Sequence, residues 1–182
     1  MKNQATLNEY FRQEWSGEIV NLKYSGPALI DKILPGEHVI DIGCGENYFK
    51  GKIPNLLGID PAFDQADLNV TIEEFKTDQK FDVAFCLGSI NFGDYFTIKD
   101  QILKLDTLMK QKSRIYWRYN PGRQDHDTKG CKNINFFPWS NDWIYHFADI
   151  IGFTVTTIVW EENLTNPLKN NRRLYSEWCR GD

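Results

Sequence analysis

Most of the chemistry legible in this chain lies in Asp41-Ile42-Gly43-Cys44-Gly45-Glu46-Asn47 and in the single acid Asp60. Glycines at 43 and 45 let the backbone turn sharply and let a ligand lie against it. Asp60 ends the apolar run Leu56-Leu57-Gly58-Ile59, where a carboxylate can accept both hydroxyls of a ribose. The pair points to a ligand with a nucleoside. The nicotinamide pattern GxGxxG needs glycine at 48, where Tyr48 opposes close helix–strand packing. The phosphate loop GxxxxGK[ST] is absent. Asp41 is out of place beside a pyrophosphate and suits a ligand carrying a positive amino group.

These residues need strands to hold them. Short apolar runs at His38–Ile42, Leu56–Asp60 and Phe81–Leu87, with Arg114–Tyr119 after them, alternate with helical or irregular stretches. Asp67-Leu68-Asn69-Val70 reads as a further weak strand. Ser25-Gly26-Pro27 opens a helix that Pro35-Gly36 stops, because proline suits a first helical position. Thr71 with Glu74 reads as a capping box over a short helix to Phe75. Ile98, Ile102, Leu105 and Met109 recur at helical spacing and predict one amphipathic helix over Thr97–Gln111. Ser140 caps another, which Gly152 ends. Phe153–Trp160 and Arg173–Cys179 follow each other without a helix, as an antiparallel pair would. Unbroken apolar strands belong to a parallel sheet covered on both sides. The expectation is a doubly wound, mostly parallel α/β sheet of about seven strands, with a terminal antiparallel hairpin and helices on both faces. The length of 182 residues fits a single domain, 1–182, with 1–26 as an N-terminal helical cap.

Three motifs stand in order: Val39-Ile40-Asp41-Ile42-Gly43-Cys44-Gly45, then Leu57-Gly58-Ile59-Asp60, then Phe81-Asp82-Val83-Ala84-Phe85-Cys86. In these the chain resembles the class I S-adenosylmethionine-dependent methyltransferases, which have a Rossmann-like fold. The family's first motif ends in glycine where this chain has Asn47, a residue that also tolerates left-handed backbone angles. The resemblance implies S-adenosyl-L-methionine as cofactor and transfer of its methyl group to an acceptor. It implies that Gly43, Cys44 and Gly45 lie along the cofactor, with Asp41 near its amine and Asp60 on the ribose. By the same resemblance Asp67 and Leu68 sit by the adenine, and Cys86 and Gly88 border the methionyl end.

In such a reaction the protein mainly aligns the partners and excludes water, and a base is needed only where the nucleophile must lose a proton. Catalytic candidates are Asn91, in the loop after the Phe81–Leu87 strand, and His126, between Asp125 and Asp127. The DNA amino-methylation motif [DNS]PP[YFW] is missing from that loop, and the net charge is −4. Both weigh toward a small-molecule or polypeptide acceptor and away from nucleic acid, which Lys129, Lys132, Arg172 and Arg173 would otherwise have to grip. The alternative reading is a non-catalytic cofactor-binding or interaction module on the same fold. Cys44, Cys86, Cys131 and Cys179 have no metal-binding spacing and read as reduced thiols, so no metal is expected. With no membrane-length apolar run and no secretory pattern, the expected location is cytoplasmic.

Overall fold

The computed structural model describes residues 4–13, 22–120, 134–162, 164 and 173–181. The elements are α1 (Gln4–Gln13), a 3₁₀ turn (Pro27–Lys32), β1 (Val39–Ile42), β2 (Leu56–Ile59), β3 (Phe81–Leu87), α2 (Tyr95–Leu108), β4 (Met109–Tyr119), α3 (Asn141–Ile150), β5 (Thr154–Glu161) and β6 (Arg173–Arg180).

Six strands form one sheet in the order β2-β1-β3-β4-β6-β5. β2, β1, β3 and β4 run parallel. β6 lies antiparallel to β4 and to β5, so the terminal hairpin takes the expected form. From β1 the chain goes to β2 on one side and then to β3 on the other. This reversal opens a crevice at the carboxyl ends of β1 and β3. Residues 67–70 do not form a seventh strand. Leu68 makes a single bridge to Ile59 and stays 43% exposed, so apolar burial does not extend the pairing.

The two faces of the sheet are covered differently. Ile115, Trp117 and Tyr119 point to the face that α2 and α3 cover, burying Ile98, Ile102, Leu105, Ile144 and Phe147 in one core. Tyr116 points the other way, into a smaller core with Leu29 of the 3₁₀ turn and Phe49 and Ile53 of the irregular stretch after β1. Among the described residues, both helices between strands therefore share one face. A 3₁₀ turn and loops serve the other.

Local details follow the sequence closely, with shifts at element ends. Asp94 caps α2 by accepting from Thr97 N at 2.9 Å. The apolar stripe it starts is buried as predicted, but Met109 passes into β4, where it pairs with Phe81. Ser140 accepts from Trp143 N at 3.4 Å and caps α3. The Thr71–Glu74 box forms, with Glu74 N donating to Thr71 Oγ1 at 3.3 Å, yet it starts only a single turn. Asp82 accepts from His38 N at 2.8 Å and pairs with Lys110. Phe136, Phe137 and Trp139 are buried packing residues, with Trp139 Nε1 donating to Ile90 O. No helix among the described residues is long and apolar enough to cross a membrane.

Candidate functional site

A cleft of about 260 Å³ opens at the carboxyl ends of β1, β2, β3 and β4. Its floor comes from the turn after β1. Gly43 and Gly45 take φ of +68° and +55°, and Asn47, the only described non-glycine residue with positive φ, takes +57°. A Cβ on Gly43 would stand 2.3 Å from that of Ser89, so the β1 and β3 loops touch only because glycine is there. A Cβ on Gly45 would meet nothing within 4 Å, which leaves open space beside that backbone.

Asp60 closes the end of β2. Its carboxylate accepts from Gly45 N at 3.0 Å, Ala62 N at 2.7 Å and Phe63 N at 3.3 Å. Burial raises its pKa, against the pull of these backbone donors. A carboxylate offers about four acceptor sites, so three bonds leave it capacity for a ligand hydroxyl. Asp41 is the opposite case. It lines the cleft at 3% exposure, and no described residue donates a hydrogen bond to its carboxylate. Burial pushes its pKa up to about 7, with Arg118 lowering it and Asp60 raising it. The β1 turn also carries Cys44 in the lining, its thiol pKa raised by burial and by Asp41, Asp60 and Asp67. Ser89 Oγ, also in the lining, is buried without a partner.

The rim comes from sequence-distant pieces. α1 lays Gln4, Leu7, Asn8 and Phe11 along the cleft. Asn8 Nδ2 donates to Pro61 O at 3.2 Å, Arg12 Nε to Ala62 O at 2.9 Å, and Phe11 meets Phe92 edge-on at 5.6 Å. Ser25 is tied to Glu161 through its N–H and its hydroxyl, which brings Leu22, Ser25 and Gly26 to the cleft. Arg118 and Arg173 complete the wall beyond Gly88. Burial lowers both guanidinium pKa values, that of Arg173 to about 10 with the help of Arg118.

The structure brings Asp41, Gly43, Cys44, Gly45, Asp60 and Gly88 together in this lining. Asp67, Leu68 and Cys86 are not in it. Asp67 instead accepts from Gly58 N at 2.9 Å and pairs with Lys50, bracing β2 against the β1 turn, and Leu68 turns toward solvent. Cys86 points into the helix-covered core, and only its chain neighbours reach the cleft. Asn91 is buried outside the lining, and its Oδ1 accepts from Asn120 N at 3.0 Å, pinning the β3 loop to the end of β4. His126, Lys129, Cys131, Lys132 and Arg172 lie outside the described residues. Arg173 lines the cleft. No group of three or more metal-ligating side chains occurs among the described residues.

The sequence reading missed Ser25 and Arg118 as cleft residues. For Arg118 there was a signal, a lone charge near the end of the aromatic run Ile115–Tyr119 in a strand buried on both faces.

Sheet order, crevice and glycine turn together define the class I S-adenosylmethionine-dependent methyltransferase fold, and solved structures of that class superimpose on nearly the whole chain. A Burkholderia thailandensis 1,6-didemethyltoxoflavin-N1-methyltransferase, with 1,6-didemethyltoxoflavin and S-adenosylhomocysteine bound, matches with TM-score 0.74 at 12% identity, over 98% of this chain and 89% of that one. The Synechocystis magnesium protoporphyrin IX methyltransferase with bound S-adenosylmethionine gives 0.68 at 13% identity, over 100% and 98%. A Clostridium acetobutylicum S-adenosylmethionine-dependent methyltransferase gives 0.64 at 13%, over 98% of both chains. No protein-family model and no curated protein sequence matches the chain.

Proposed function

We propose that this protein transfers a methyl group from S-adenosyl-L-methionine to a small-molecule acceptor. The observation that carries this reading is the cleft itself. An unbonded buried carboxylate, a glycine-floored turn and an acid at the end of β2 face one space. The chemistry of that set fits a nucleoside with an amino-acid tail. Asp60 would take the ribose hydroxyls, and Asp41 the ammonium. The open backbone at Gly45 gives the tail room, and Ser89 Oγ, orphaned as it stands, has a ligand to bond.

When bound, the cofactor supplies an activated methyl group on a sulfonium. The chain's own contribution is alignment and dryness. Gly43 and Ser89 hold the β1 and β3 loops in contact, while Leu7, Phe11 and Phe92 present apolar surface that keeps water from the acceptor side. No histidine lines the cleft among the described residues, so an acceptor that attacks through an already available lone pair suits it best. Capping by α1 narrows the cleft, and neighbours of this fold methylate a toxoflavin precursor and a porphyrin; both features support a small acceptor. In this reading residues 1–26 are the cap of a single domain, and Asn91 and Asp67 support the site without touching ligand.

Calorimetry with S-adenosylmethionine and, separately, NAD tests the cofactor. Heat with the former alone is the expected result, and a folded protein giving none sinks the proposal. Labelled methyl transfer into cell extract, sorted by protease and nuclease sensitivity, tests the acceptor. Label in a fraction resistant to both is expected, and label confined to macromolecules overturns the small-molecule assignment.

A further inference from the structure

The charges that line the cleft are sorted by strand. Among the described residues its acids, Asp41, Glu46 and Asp60, belong to the β1 turn or the end of β2, and its bases, Arg118 and Arg173, to β4 and β6. The sheet order sets β6 three strands from β1, about 14 Å along the sheet. Leu174 of β6 pairs with Tyr119 of β4, and both side chains enter the helix-covered core. Arg173 stands one residue further toward the cleft, beside Asn120 and on the opposite face. Asn120 N donates to Asn91 Oδ1, and Phe92, next in the chain to Asn91, meets Phe11 of α1 edge-on. This end of the cleft therefore sets a guanidinium near an aromatic wall. Glu161 faces Arg173 across the hairpin, but its carboxylate is committed to Tyr24 N, Ser25 N and Ser25 Oγ. Burial and the charge of Arg118 lower the pKa of Arg173 to about 10, so a negative group beside it is favoured.

An arginine in that place has no task in the cofactor reading, which uses the acidic end of the cleft. We propose that the methyl acceptor is a small carboxylic acid, with its carboxylate on Arg173 and its apolar body against Phe11 and Phe92. The assignment rests on the methyl-transfer reading above and narrows the acceptor to one chemical class. Arg118 turns its fork to Leu87 O and Ser25 Oγ, so Arg173 is the base that meets the acceptor. A planar guanidinium matches a planar carboxylate through two parallel N–H donors. A neutral molecule of the same shape would gain nothing from the guanidinium it desolvates. Arg173 holds the carboxylate whichever atom takes the methyl group.

Small molecules from ultrafiltered cell extract, split on an anion exchanger at neutral pH and offered with labelled S-adenosylmethionine, test this. The acceptor should be in the retained fraction and survive phosphatase treatment. In Arg173→Gln the amount of that fraction needed for half-maximal transfer should rise about 10- to 100-fold, the range of a charge-assisted hydrogen-bonded pair. Affinity for S-adenosylhomocysteine, read by calorimetry, should stay within about threefold. Acceptor activity in the flow-through, its loss to phosphatase, or a half-maximal amount unmoved in Arg173→Gln overturns the inference and leaves the cofactor reading standing. So does a fall of about tenfold in the variant's affinity for S-adenosylhomocysteine, since Arg173 would then serve the cofactor. Wild type that binds S-adenosylhomocysteine but transfers label to no fraction overturns the transfer reading and this inference with it. Wild type that binds none overturns the cofactor reading as well. Should Arg173→Gln not fold by circular dichroism, Arg173→Lys keeps the charge and loses the fork. A half-maximal amount raised at least about threefold then supports the assignment, and an unmoved one overturns it.

Discussion

The two faces of the sheet do different work with the same strands. On one, α2 and α3 bury Trp117, Trp139, Phe147 and Trp178 in a continuous aromatic and aliphatic core. On the other, a 3₁₀ turn and loops cover Tyr116, Phe85 and Tyr175 but leave the carboxyl end open, and there the Asp41 carboxyl and the Arg118 guanidinium stand. A helix supplies a wide apolar stripe and tolerates no charge beneath it. A loop supplies backbone N–H groups, carbonyls and gaps. The larger core thus lies on one side of the sheet, and the cleft opens on the other.

The sharpest separation should come from Phe147→Ala in α3. Emptying a fully buried ring position costs about 3–5 kcal/mol of stability by chemical denaturation, while cofactor affinity of the folded protein stays unchanged. If affinity falls in step with stability, the two faces are not independent. Asp60→Ala should do the reverse, losing about 2–4 kcal/mol of cofactor affinity by calorimetry as ribose hydrogen bonds disappear. Its melting temperature should move less than that of the core variant.

Asp41→Asn reads the binding face through pH. The carboxyl rises from an unfolded value of 3.8 to about 7 in the folded chain. The folded state thus holds the proton more tightly, so this group favours folding fully below about pH 4 and loses that contribution as pH rises through about 7. The variant should lack this slope and exceed wild type above pH 7 by on the order of 2 kcal/mol, at the expense of cofactor affinity. In wild type, cofactor affinity should strengthen from pH 6 to 8 as Asp41 ionises to meet the ammonium. A flat profile would show that Asp41 is not at the ammonium. The smallest effect belongs to Ser140→Ala. Its long cap bond to Trp143 N predicts a loss of only about 0.5–1 kcal/mol, with binding untouched.

Residues with a local cause were legible in the sequence. Asn47 reads as a left-handed position from its type alone and adopts φ +57°. The stripe Ile98, Ile102, Leu105 names the buried side of α2 from spacing. The cofactor side of the cleft is also local, since one turn and one strand end build it. What escaped depends on distant pairing. The resemblance sets Asp67 by an adenine, but Lys50 and Gly58 N hold it outside the cleft lining. Asn91 sits in the right loop, yet Asn120 N occupies it. Arg118 reaches the cleft only because β4 lies beside β3, and neighbours in a sheet are not written in chain order.

One short stretch, Pro61–Ala62–Phe63, faces two ways. Its N–H groups at 62 and 63 point in to Asp60, and its carbonyls at 61 and 62 point out to Asn8 and Arg12 of α1. The peptide groups that orient Asp60 are thus the mooring of α1. On the proposed reading, linkage would make ligand binding at Asp60 and docking of α1 reinforce each other by one shared free energy. A cofactor's residence time would then be set by how often α1 lets go, so a single substitution at Arg12, whose Nε holds Ala62 O, should shorten it.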